Sequence, residues 1–233
     1  MNRTLIATAI LLGASTFGMG AYAQATGTPL PPTGSPLPVT GSPPPVTGTP
    51  APTTGTPQPH TLGTLDRDVH QQQRIENGLQ NGTITTRESA ELERNQARIN
   101  ELQAKDMRDG SLSASERAQL NRLQDRQSRA IKQANTNGVN GNPMSASSQR
   151  SQAEVQRDIN QQTRIQQGVH DNSLSTREAG HLEAGQARTD ERQYMAGRDG
   201  RVSEREAQQL KAQDNRQSGH IYAARHDRQE GHR

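Results

Sequence analysis

A twelve-residue cassette occurs four times in the chain, at 81–92, 109–120, 171–182 and 199–210. Each copy writes the end of one helix and the start of the next. Thr85, Ser113, Ser175 and Ser203 stand three residues before Glu88, Glu116, Glu178 and Glu206. That is the capping-box spacing: the hydroxyl accepts from the backbone N–H three residues on, and the carboxylate reaches back to the cap N–H. The Asn81-Gly82, Asp109-Gly110, Asp171-Asn172 and Asp199-Gly200 pairs supply residues that tolerate a left-handed turn. Leu92, Leu120, Leu182 and Leu210 then fall two turns into each new helix. A chain so punctuated is predicted to be all-α.

A longer repeat contains the cassettes. Without gaps, at a spacing of ninety residues, Arg67-Asp68-Val69 matches Arg157-Asp158-Ile159, Gln96-Ala97-Arg98 matches Gln186-Ala187-Arg188, and Ile131 matches Ile221. Two cassettes per copy predict three helices each, at 65–79, 86–108 and 114–134, then at 148–169, 176–198 and 204–228. The expected fold is two tandem three-helix units, 64–136 and 148–233, joined by a flexible 137–147 link rich in Asn-Gly pairs. The apolar set is thin: Val69, Ile75, Leu79, Ile84, Leu92, Ile99, Leu102, Met107, Leu112, Leu120, Leu123 and Ile131 in the first unit. In the second, Thr189, Arg192 and Gln213 replace Ile99, Leu102 and Leu123. Hydrophobic residues are 28% of the chain, so each small unit is expected to be marginal alone, or to associate through its apolar stripes, the second being weaker.

Residues 1–23 read as a secretory signal peptide: Arg3, an apolar stretch from Leu5 to Leu12, and Ala21-Tyr22-Ala23 before the cut. The chain has no cysteine, which excludes a lipobox anchor and a disulfide framework. From Thr26 to His60 a heptad such as TGSPLPV recurs five times, with proline at its fourth and sixth places. This composition cannot bury a core, and 24–63 is expected to be a disordered stalk with polyproline II character, reaching on the order of 100 Å if extended.

The cassettes resemble EF-hands. A twelve-position EF-hand loop carries Gly at position six, an aliphatic at eight and Glu at twelve. Gly82, Ile84 and Glu88 fit that pattern, as do Gly110, Leu112 and Glu116, and Gly200, Val202 and Glu206; the remaining loop has Asn172, Leu174 and Glu178. The resemblance implies calcium as the alternative cofactor, with Asn81, Glu88, Asp109, Glu116, Asp171, Glu178, Asp199 and Glu206 as its ligands. The departures lie at position one, occupied by Asn77, Lys105, Gln167 and Met195, and at position three, occupied by Leu79, Met107, Val169 and Gly197. Calcium takes six to eight oxygens, and these loops lack the oxygens of their first half. The pattern also looks like small exported bacterial proteins of unknown function with Arg/Gln/Glu-rich helices.

Other chemistry finds little footing. The seven histidines include no i, i+4 pair on a predicted helix, so a helical zinc motif is absent, although His220, His226 and His232 gather near the C-terminus. The net charge is only +3, acids and bases alternate, and aromatic residues are 2%, which argues against nucleic-acid binding. No nucleophile elbow, phosphate loop or dinucleotide fingerprint occurs. The sequence therefore predicts a non-enzymatic protein, periplasmic or secreted after signal cleavage. Its expected role is structural or protein-interaction, with an envelope surface, a partner protein or a second copy as partner.

Overall fold

A computed structural model describes residues 59–230, with side chains described for 60–227. The signal peptide and all but the last five residues of the 24–63 stalk lie outside them. Six helices follow one another: α1 Pro59–Asn81, α2 Thr86–Asp106, α3 Ala114–Thr136, α4 Ala146–His170, α5 Thr176–Gly197 and α6 Glu204–Glu230. Among the described residues there is no strand, and no helix is long and apolar enough to cross a membrane. Helix α1 starts earlier than the 65–79 expectation. Pro59 takes its first position, where a missing N–H costs nothing and the fixed φ suits the helix.

The cassettes behave as their chemistry requires. Thr85, Ser113 and Ser175 each form a full capping box with Glu88, Glu116 and Glu178. Ser203 and Glu206 exchange the same pair of bonds, at 2.8 and 3.3 Å. Gly82, Gly110 and Gly200 adopt φ of +79°, +92° and +88°, and Asn172 adopts +63°, so the left-handed position falls where the sequence placed it. Gly78 and Gly168 have a separate reason. A Cβ on either would run into Ile84 or Leu174, the aliphatic residue of the turn that follows.

The ninety-residue repeat does not divide the packing. Helix α2 packs most extensively on α5 of the other repeat, and α1 on α4. Both pairs are antiparallel. Asn100 donates to Asp190, Ala90 lies against Gly197, and Met107 lies against Gly180. On the other pair Gln166 donates to Asp66, and Gln152 donates to the carbonyl of Leu79. Helices α3 and α6 flank this central layer, α3 on α1 and α2, α6 on α4 and α5. Shifted by ninety residues, Ala90–Gly197 becomes Gly180–Met107 and Asn100–Asp190 maps onto itself, as an approximate two-fold axis through the α2–α5 crossing requires. Apolar residues of the two repeats pack together within the chain. The 137–147 link is also pinned: the Gly141 N–H donates to the Gly82 carbonyl at 2.8 Å, and Gly141 lies so close to Ile84 and Thr85 that a Cβ would crowd them.

The apolar core sits at the two ends of this body, and the ends differ. At one end Leu65, Met107, Leu112 and Leu120 of the first repeat join Ile165, Val169, Leu174, Ala179, Leu182 and Ile221 of the second in one cluster. At the other end the equivalent positions form two clusters. Ile75, Leu79, Ile84, Leu92 and Ile131 pack with Val155 and Ile159, while Ala196, Val202 and Leu210 stand apart. Between these clusters lies a small gap of about 20 Å³, bordered by Ala90, Val155, Gly197, Val202 and Leu210. The ends differ here in sequence. Gly197 occupies the position that Met107 fills at the intact end, where the Met107 side chain is fully buried. Leu102 and Leu123, expected in the core, are only partly buried, as is Val69.

Candidate functional site

The eight loop residues that the EF-hand resemblance implies as ligands are engaged within their own turns. Asn81, Asp109, Asp171 and Asp199 each accept, through Oδ1, the backbone N–H two residues on, at 2.8–3.0 Å. Glu88, Glu116, Glu178 and Glu206 each accept the N–H of their capping partner, at 2.7–2.9 Å. Asp171 also pairs with Arg225 at 2.8 Å, and Glu88 accepts from Asn137 at 2.6 Å. These oxygens stabilise turns and helix starts. None of the eight belongs to the one set of three or more His, Asp and Glu residues whose ligand atoms come together among the described residues.

That set lies between the two apolar ends and follows from helix periodicity. Along α1, Leu65, Asp68, Gln72, Ile75 and Leu79 recur at steps of three and four, so all share one inward face. The stripe is apolar at the ends and polar in the middle turns. Helix α2 repeats the pattern with Glu93, Gln96, Asn100 and Gln103 before Met107, α4 with Asp158 and Gln162 between Val155 and Ile165, and α5 with Glu183, Gln186, Asp190 and Gln193. Four helices therefore bring a polar layer to the midplane, where every one of these side chains is buried.

Carboxamides bind the carboxylates in this layer. Gln96, Gln103 and Gln124 all donate to Asp68, and Gln193 donates to Asp158 at 2.6 Å. Gln72 donates to Glu93 at 2.8 Å, and Gln162 to Glu183 at 2.9 Å, two contacts related by the repeat. Asn100 donates to Asp190 at 2.8 Å. Acceptors nevertheless outnumber donors. Asp158 Oδ1, Glu93 Oε1, Glu183 Oε2 and the carboxamide oxygens of Gln72, Gln96 and Gln186 are buried with no hydrogen-bond donor. An orphaned buried acceptor costs about 1–3 kcal/mol, more when it is charged.

Electrostatics lead to the same deficit. Burial, only partly offset by its three carboxamide donors, lifts the Asp68 carboxyl to about 6. Burial lifts Glu93 to about 7. Asp158 is pushed well above the usual carboxylate range by burial, then by Asp214 and Glu93; Asp190 by burial, then by Asp158, Glu93, Glu183 and Asp68. Glu183 rises through burial and the nearby Asp68. At the edge of the layer burial and Glu154 lift Asp214 to about 8, against the pull of Arg157, which lies 2.5 Å from Glu154 and 3.8 Å from Asp214. The layer can accept protons or a cation.

Sequence reasoning missed this layer because an Asp or Gln on a helix reads as solvated. A signal was present: Asp68 and Asp158, Glu93 and Glu183, Gln72 and Gln162, and Gln96 and Gln186 keep their identity across the repeat while standing in register with the apolar stripe. Searches against protein-family models, curated proteins and solved structures find no match to this chain.

Proposed function

We propose that this chain is an exported, non-enzymatic helical protein with a structural or protein-interaction role, its helical body carried on a proline-rich spacer. Export rests on the 1–23 leader, and the spacer on the proline heptads. The observation that carries the interaction role is the divergence between the two ends. The chemistry-bearing side chains face inward at the midplane, whereas the gapped end presents a groove between α5 and α6. Arg192, Met195, Ala196, Glu206, Gln209 and Leu210 line it, and Met195 is 48% exposed. A mixed apolar and charged depression with an exposed methionine suits an adaptable protein contact.

The test uses the mature chain and its Met195→Asp variant in light scattering and in capture from envelope fractions. Self-association or a specific partner, lost in the variant, is the expected result. A strictly monomeric chain at high concentration that captures nothing contradicts the role. Calcium held by the four turns is the weaker alternative, because their oxygens already serve caps and Asx turns.

A further inference from the structure

We propose that the midplane holds one hard divalent cation, of the Ca²⁺ or Mn²⁺ class, on Glu93, Asp158 and Asp190. One carboxylate oxygen from each of these buried residues lies within 4.8 Å of the other two. Oxygens on opposite sides of a cation bound at about 2.4 Å are about 4.8 Å apart, so the three can reach one ion of that size. The donor set contains oxygen only, with no imidazole or thiolate, which selects hard cations over zinc or copper.

A second observation points to a ligand independently of the acidic cluster. Gln72, Gln96 and Gln186, each 97% or more buried, line the same midplane cavity as Asp158 and Asp190, and each has a carboxamide oxygen without a donor. That cavity has room for about one water-sized species, and Asp158 Oδ1, on a residue that also lines it, has no donor either. Several acceptors without donors on the residues around one cavity call for a positive centre. Two guanidinium groups near this layer are committed elsewhere: Arg157 to Glu154 and Asp214, and Arg67 to Asp125.

The broken symmetry says which of the two related sets is loaded. Glu183, Asp68 and Asn100 occupy the mate positions of Glu93, Asp158 and Asp190, so the mate set has an amide where this one has a third carboxylate. A second departure favours the same set. Glu93 and Gln193 also line the gap left by Gly197, whereas Met107 plugs the equivalent place beside the mate set. The third charge and the gap therefore occur on the same side of the layer.

The test takes the mature chain, stripped with chelator at pH 7.5, through equilibrium dialysis and thermal melts with Ca²⁺ and with Mn²⁺. Binding of one ion per chain, with a rise in Tm, is expected. Asp190→Asn converts the set into a copy of its mate. It removes a buried charge isosterically, so the variant should fold, with its affinity at least tenfold weaker and its Tm insensitive to either cation. Glu116→Gln, in a turn, should bind as the unaltered chain does. The proposal is overturned if the unaltered chain binds neither ion, if Asp190→Asn binds as tightly as it, or if binding is lost in Glu116→Gln instead.

Discussion

The two ends of the body are built from the same repeat, yet one core is continuous and the other is split. At the intact end Met107 projects from α2 over Gly180 of α5, and a single cluster spans both repeats. At the gapped end Gly197 faces Ala90, and a small gap lies beside it between Val155 and Leu210. Both ends keep the close α2–α5 approach, because each pairs a glycine with a residue on the facing helix. The side chain, however, is present at one end only. A duplicated sequence can preserve backbone geometry while its packing diverges.

The largest expected effect concerns the layer both ends share. Without divalent cations, stability should fall as pH rises from about 4 to about 8. A carboxyl whose folded-state pKa is raised binds more protons folded than unfolded across that interval, so its stabilisation is full below the unfolded value and is lost as pH climbs through the folded one. Asp68, raised from 3.8 to about 6, accounts for a loss on the order of 3 kcal/mol at about 1.4 kcal/mol per unit. Glu93 extends the decline to about 7, and Asp214 to about 8. Urea titrations at several pH values in chelator check this; stability that rises over the interval would refute the charged-layer account.

Next in size is Met107→Ala, which should cost about 2–5 kcal/mol by opening at the intact end the gap the other end already has. Leu120→Ala and Leu210→Ala then compare the ends directly. Leu120 is fully buried in the continuous cluster, whereas Leu210 borders the gap. Both truncations fall in the range of about 2–5 kcal/mol, with Leu120 at the upper part and Leu210 at the lower. Equal losses would mean that the gap has no energetic weight. Smallest are the caps. Ser113→Ala at one end and Ser203→Ala at the other should each cost about 0.5–2 kcal/mol, and by similar amounts, because a capping box depends on its own turn and not on the core beneath it. Denaturant melts of the two variants check this.

What the sequence made legible follows the same division. The caps, the left-handed glycines and the helix order could be read because their causes lie within a few residues, as between Ser113 and Glu116. The pairing of α2 with α5 could not. An apolar stripe such as Ile75–Leu79 records that a helix has a partner but not which one, and the local pattern fits tandem units as well as interlocked ones. The site was hidden for a related reason: Asp68 or Glu93 discloses its burial only beside Leu65, Ile75 or Met107 on the same face. The EF-hand resemblance drew attention to the turns, whose oxygens serve backbone N–H groups.

The central claim is that the repeats form one interlocked body. Residues 24–233 offer a direct probe, because their only tyrosines, Tyr194 and Tyr222, both lie in the second repeat. Tyrosine fluorescence therefore reports that repeat and, through Tyr194 beside Arg94, its seam with the first, while far-ultraviolet circular dichroism reports all six helices. Unfolded in urea, the two signals should trace one coincident transition. A tyrosine transition that precedes the loss of helix, with about half the helical signal surviving it, would show that the repeats fold separately and would contradict the account.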